Sequence, residues 1–193
     1  MSFQINDLSH ALTDKEINDF FNGKVNILKY SELKNKSLKE ILGKFKRCII
    51  LYEQEYNKGH WVLLHEVKLK NKKPYLEYFD SCGLIPTKEL EWIPKSMQYL
   101  TNQQKETLLN LLLNQPLQVH YSQYRLQKLG KLHGFNVNTC GKWCCIRAYY
   151  NKINEDEISR TSNSFNPNNS KKKTALSEAK VMFTMLFDIN IVE

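Results

Sequence analysis

The sequence predicts an α+β fold: a central mixed or antiparallel sheet flanked by helices, with a cysteine at the N-terminus of one of them. Three stretches carry this expectation. Cys48-Ile49-Ile50-Leu51-Tyr52 is a short apolar run rich in strand formers, as a central strand requires. Residues 59–69 and 74–80 read as two further strands, joined by a polar connection at 70–73 tight enough for an antiparallel hairpin. Asn138-Thr139-Cys140-Gly141-Lys142-Trp143-Cys144-Cys145 sets a cysteine and a glycine at the head of a helix-forming run over 142–150.

The other elements follow in chain order. Thr13-Asp14-Lys15-Glu16 is a capping box, and Ile17, Phe20 and Phe21 follow at helical spacing. A helix is expected over 14–22, closed by Gly23. A second short helix is expected over 37–44 with Leu38, Ile41 and Leu42 inward. Residues 86–94 form a connector. Residues 101–114 read as one helix, with Thr101 as its cap, Leu108, Leu111 and Leu112 on its apolar face, and Pro116 beyond its end. Residues 117–121 alternate weakly and read as a strand, and 130–138 as a loop. Residues 159–173, rich in Ser, Asn and Lys, predict a mobile surface loop, and 176–187 a closing amphipathic helix. There is no repeat and no composition shift, so residues 1–193 read as one domain.

Composition bounds the function. With 41% hydrophobic and 11% aromatic residues the chain can bury a core and is not a disordered segment. No apolar run approaches the roughly 18 residues that a membrane span needs. Residues 1–14 lack an apolar signal core, so secretion is not expected. Five cysteines, two of them adjacent and none in a C-x-x-C pair, speak against a disulfide framework and a structural zinc site. A reducing compartment fits that usage. The net charge of +8 favours polyanions, either nucleic acid or an acidic protein surface, unless it is a solvated basic face.

The chemistry converges on Cys140. The first turn of a helix carries unpaired N–H groups and partial positive charge, which favour a thiolate. Gly141 lets another chain approach the backbone closely. Cys48, Cys82, Cys144 and Cys145 are expected to be buried and inert, and His10, His65, His120 and His133 to be structural. His60 differs, because it opens one strand while Asp80 closes the next. In an antiparallel pair those two ends are neighbours, so an imidazole and a carboxylate meet. A thiol nucleophile needs such a base, and a third group that fixes the imidazole tautomer. Glu77 falls on the opposite strand face, and Glu77→Ala is expected to be nearly silent. Acyl transfer also needs donors for the developing oxyanion. The Cys140 backbone N–H is one; Gln127 is the preferred side-chain amide, with Gln123 and His133 as rivals.

Gly59-His60-Trp61, Phe79-Asp80-Ser81 and Thr139-Cys140-Gly141, in that order, resemble the adenain and SUMO-deconjugating cysteine proteases over residues 49–150. Tyr124-Arg125-Leu126-Gln127 and the Thr-Cys-Gly-Lys-Trp run with Arg147 look most like the adenain-like maturation proteases of large DNA viruses and of virophages of the mavirus type. The resemblance implies a papain-like fold of the adenain type and a His60–Asp80–Cys140 triad. It implies late cleavage of capsid precursor proteins, often after Gly-Gly, by a monomer needing no metal. Trp61 would line the narrow substrate groove, with Gly141 beside it, and DNA would be a possible activator. The setting would be the host cytoplasm at the viral factory, and the virion. In those relatives the oxyanion glutamine stands six or seven residues before the cysteine. Here His133 and Gly134 hold those positions, and an insertion over 128–135 would account for Gln127 standing thirteen residues before Cys140. Two other readings compete: an isopeptidase acting on ubiquitin-like tails, and a basic nucleic-acid-binding protein without catalysis.

Overall fold

The two longest strands are buried at almost every interior position, as in a sheet covered on both faces. The computed structural model describes residues 9–68, 72–121, 125–127, 131–132, 135–136 and 138–149. Its centre is a five-stranded mixed sheet flanked by helices. The strands are β1 (Asn26–Lys29), β2 (Arg47–Glu55), β3 (Lys58–Val67), β4 (Tyr75–Phe79) and β5 (Val119–Tyr121), in that spatial order. β2, β3 and β4 are antiparallel neighbours, while β1 and β5 add to the edges in parallel.

Side-chain alternation divides the core in two. Ile49, Leu51, Trp61, Leu63 and Phe79 face helix α1 (Asp14–Phe20) and helix α5 (Cys140–Tyr149). Ile50, Tyr52, Val62, Leu64, Leu76 and Tyr78 face the opposite layer. That layer holds α2 (Leu38–Leu42), α4 (Thr107–Leu113) and the 3₁₀ turn Tyr30–Leu33. Each of these side chains is almost fully buried.

Local chemistry explains the ends of the elements. The expected capping box forms at α1, Thr13 with Glu16, and a second one that was not expected forms at α2, Ser37 with Glu40. α1 stops at Phe20, before Asn22 and Gly23, both of which have positive φ. Gly59, one residue before His60, is indispensable for a steric reason. A Cβ there would lie 1.8 Å from the Tyr52 carbonyl oxygen, where β2 and β3 depart from regular register.

Three expected elements differ. The single helix over 101–114 is two: α3 (Lys95–Leu100) and α4, with Thr101 ending the first rather than capping the second. Asn102 is left-handed, and the Tyr30 hydroxyl donates to the Lys105 carbonyl and accepts from the Thr107 N–H, pinning the break. The stretch read as loop over 130–138 contains two short paired strands, β6 (Lys131–Leu132) and β7 (Phe135–Asn136). The connector over 86–94 is largely a 3₁₀ helix, Pro86–Trp92. The rival donors Gln123 and His133, the loop over 159–173 and the helix over 176–187 lie outside the described residues.

Candidate active site

Register brings the site together. Leu64 pairs with Tyr78 and Leu63 with Phe79, so the start of β3 runs beside the end of β4. His60 Nε2 lies 2.9 Å from Asp80 Oδ1, with both side chains buried. Asp80 collects two further donors. The Cys82 backbone N–H reaches Oδ1 at 2.7 Å, and the Trp92 indole N–H reaches Oδ2 at 3.2 Å. Three donors hold the carboxylate in one orientation without exposure to solvent. Because Asp80 accepts at Nε2–H, the other ring nitrogen, Nδ1, is the one left to meet Cys140.

Cys140 is the first residue of α5, and the Trp143 N–H returns to the Thr139 carbonyl at 3.0 Å. The Trp61 backbone N–H points at its sulfur, 3.5 Å away. Burial alone would raise the Cys140 pKa. The hydrogen bond and charge of His60, with the N–H groups of Trp61 and Gly141, outweigh burial and lower it. His60 balances the other way. Burial disfavours its cation, yet the hydrogen bonds to Asp80 and Cys140 and their charges raise its pKa to about 9. The arrangement favours a thiolate–imidazolium pair.

The other four cysteines are buried free thiols. Cys48, Cys82, Cys144 and Cys145 are all pushed up, burial being the main cause. Cys82 needs separate comment, because its sulfur, His60 and Asp80 bring three possible metal donors within 4.8 Å of one another. An ion there would have to displace the His60 and Trp92 hydrogen bonds and the Cys82 N–H from the carboxylate. The same carboxylate charge also raises the Cys82 thiol, so the thiolate of the site belongs to Cys140.

The remaining predicted residues fall nearby. Gln127 is buried, its backbone N–H and that of Leu126 both donating to the Ser81 carbonyl at 2.8 Å. The Ser81 hydroxyl donates to Gln127 Oε1 at 3.0 Å, which turns the amide N–H groups away from Ser81. The β6–β7 pair lies between Gln127 and Cys140 in sequence, so the thirteen residues are partly taken up by a hairpin. Trp61 is buried, and its indole N–H donates to the Leu12 carbonyl at 2.9 Å. The close neighbours that Gly141 accommodates are Trp61 and Leu12, 3.1 and 3.2 Å from where a Cβ would sit.

Glu77 does face away from His60, but it is not idle. It sits between His65, 2.6 Å from one oxygen, and the Arg147 guanidinium, whose Nε and Nη2 donate at 2.8 Å. All three are buried, tying α5 to the sheet behind Cys140. The expectation of a nearly silent Glu77→Ala concerns turnover, whereas this buried ion pair gives the residue a structural role. Removing the carboxylate takes two charged hydrogen bonds from a buried guanidinium, and breaking a buried pair costs about 3–5 kcal/mol. A thermal melt should show the variant strongly destabilised; an unchanged midpoint would contradict the ion-pair assignment.

Trp92 was missed by sequence reasoning. Its ring stacks on the His60 imidazole, centroids 3.8 Å apart and planes 19° apart, while its N–H holds Asp80. The only signal was a large aromatic inside a polar connector, Glu91-Trp92-Ile93-Pro94.

Fold and site together define an α+β protein whose helix-terminal thiol faces a buried imidazole–carboxylate pair. The chain belongs to the family of a virophage protein: it is 31% identical over 138 residues to "Uncharacterized protein V9" of Sputnik virophage, a match covering 71% of this chain and 74% of that protein. No protein-family model matches the chain. Among the described residues no helix is long and apolar enough to cross a membrane.

Proposed function

We propose that this protein is a cysteine endopeptidase of the adenain type, with a papain-like arrangement of helix and sheet, that cleaves capsid precursor proteins during virophage particle maturation. One observation carries the reading: a thiol at a helix N-terminus, with the Trp61 N–H 3.5 Å from its sulfur, beside an imidazole whose Nε2 lies 2.9 Å from a buried carboxylate. The virophage relative supports the biological setting.

In this mechanism the Cys140 thiolate attacks the scissile carbonyl carbon, forming the C–S bond while the carbonyl π electrons move to oxygen. Collapse of that intermediate breaks the C–N bond, and the His60 imidazolium gives its Nδ1 proton to the leaving amine. Neutral His60 then removes a proton from water, whose oxygen attacks the thioester carbon; the C–S bond breaks, the acid leaves, and the thiolate–imidazolium pair is restored. Asp80 keeps the second ring proton on Nε2 throughout. The Cys140 backbone N–H and the Gln127 amide donate to the oxyanion. Gln127→Ala should lower turnover by about a hundred- to a thousand-fold. Its Cys140 should still react normally with a small alkylating agent, because the donor serves the oxygen and not the sulfur. A slowed alkylation would instead assign Gln127 to the thiol.

The direct test is mass spectrometry of the purified capsid precursor before and after incubation with the protein. Discrete new termini, absent with a Cys140 variant, are the expected result. An intact precursor beside a cleaved ubiquitin-like conjugate would overturn the endopeptidase reading in favour of an isopeptidase.

A further inference from the structure

The chain just before α1 lies against the residues that flank the nucleophile and its base, and neither the proposed mechanism nor the virophage relationship gives it a task. We propose that residues 9–12 form an autoinhibitory strap that sits where a substrate's backbone passes Cys140, and that Asn138 and the Trp61 indole hold the substrate's carbonyls once the strap lifts. The proposal rests on the peptidase reading for its effect on turnover, but not for its effect on access to the thiol.

Three contacts define the strap. The Ser9 carbonyl accepts at 2.7 Å from Nδ2 of Asn138, which stands shortly before Cys140. The Leu12 carbonyl accepts at 2.9 Å from the indole N–H of Trp61, the residue after His60. The Leu12 side chain stands over Gly141, the residue after Cys140: its Cβ lies 3.2 Å from where a Cβ on that glycine would sit, and the Trp61 ring lies 3.1 Å from the same point. Each contact is thus made beside a member of the reacting pair, and the Trp61 backbone N–H itself points at the Cys140 sulfur. With the strap in place both His60 and Cys140 are buried.

The strap is held as a peptide substrate would be. Both hydrogen bonds go to backbone carbonyls, which every residue of a peptide carries, so the Asn138 amide and the Trp61 indole can bind a chain without regard to its sequence. Leu12 alone among the four side chains is buried, while Ser9, His10 and Ala11 are exposed. Residues 10–13 belong to no helix or strand, so lifting them breaks no ladder of the sheet. An exposed segment pegged by one leucine can open locally while the rest of the fold stays closed.

α1 supplies the fixed end. Its capping box, Thr13 with Glu16, begins directly after Leu12, and Ile17 and Phe21 bury the element in the layer that also holds α5. The strap can therefore swing about residues 12–13 while α1 stays in place. The contact between His10 and Glu16 is a surface pair and offers little resistance. While the strap is closed, a substrate competes for the same two donors, and its apparent affinity is reduced by the fraction of molecules that are open.

The experiment compares wild type, Leu12→Ala, Leu12→Val and the double variant Leu12→Ala/Asn138→Ala in the full chain. Cys140 is alkylated with iodoacetamide and, separately, with a fluorescein-linked iodoacetamide, and the modified residue is located by peptide mapping. The two reagents share their chemistry, so the ratio of large- to small-reagent rates reports access and not thiol reactivity. Leu12→Ala should raise that ratio by about tenfold and lower KM for the capsid precursor by about three- to tenfold, with kcat little changed. Once the strap is released, adding Asn138→Ala should raise KM again by about three- to tenfold while the ratio stays high. Equal KM values in the double variant and Leu12→Ala would overturn Asn138 as a substrate donor. A leucine that merely fills the core would, on truncation, lower the thermal midpoint and leave the ratio as in wild type, which would overturn the strap. If Leu12→Ala does not fold, Leu12→Val decides, a raised ratio supporting the strap and an unchanged one rejecting it. If no form cleaves the precursor while the ratio rises, the peptidase reading fails and the strap stands.

Discussion

Replacing Cys140 by serine is expected to remove nearly all of the proposed turnover of the capsid precursor and to leave the fold in place. The reason is acidity. The site stabilises a thiolate by opposing its burial with His60 and the N–H groups of Trp61 and Gly141. A hydroxyl starts many units less acidic than a thiol, so the same partners cannot produce an alkoxide. The substitution is small, and the surroundings (Trp61, Trp143 and Cys144) need not move to accept it. The thermal midpoint should therefore stay close to wild type, and a peptide-bond assay should read less than about a tenth of the wild-type rate. A higher residual rate would place the nucleophile elsewhere. Cys82 would be the first alternative, since its sulfur lies within 4.8 Å of donor atoms of His60 and Asp80. Cys82→Ala is the matching control and should retain activity. Cys144→Ala and Cys145→Ala should do so too, because both thiols are buried and raised.

How legible this was in the sequence depends on the range of the interaction. The meeting of His60 and Asp80 follows from strand periodicity and one antiparallel connection, both local properties of residues 59–80. The capping box at Thr13 is local too, spanning three residues. Trp92 was invisible because its partners are set by where the chain returns after β4, and no spacing rule relates a connector tryptophan to a strand-opening histidine. The break between α3 and α4 has the same origin: Tyr30, far upstream, supplies the hydroxyl that holds it open. β1 went unread because Asn26–Lys29 is only four residues long and half-buried throughout. It is a strand because β2 offers it an edge. Glu77 was half legible. Its face could be counted, but its partner Arg147 lies seventy residues on. Buried charge is decided by such partners, so a face count could not foresee the cost of its loss.

Asp80→Ala is expected to lower turnover by roughly ten- to ten-thousand-fold while substrate binding changes little. The carboxylate performs two tasks that an alanine cannot. It accepts from His60 Nε2, which keeps Nδ1 directed at the sulfur, and its charge favours the imidazolium. With it removed, the His60 cation loses one of the two partners that raise its pKa to about 9. The sign follows directly. A raised imidazole pKa keeps the protonated acid available up to that pH, and lowering it withdraws the acid sooner. The alkaline limb of kcat/KM should therefore move to lower pH in Asp80→Ala, together with the fall in its plateau. Stability should fall as well, because the N–H groups of Cys82 and Trp92 lose their acceptor inside the protein. Glu77→Ala separates the two kinds of effect. It strips the support behind α5 and should lower the melting midpoint, while each molecule that remains folded keeps its His60–Asp80 pair and its alkaline limb. If Glu77→Ala moved the limb and Asp80→Ala did not, the carboxylate orienting His60 would be misassigned. A full pH profile of both variants at a temperature well below either midpoint distinguishes these outcomes.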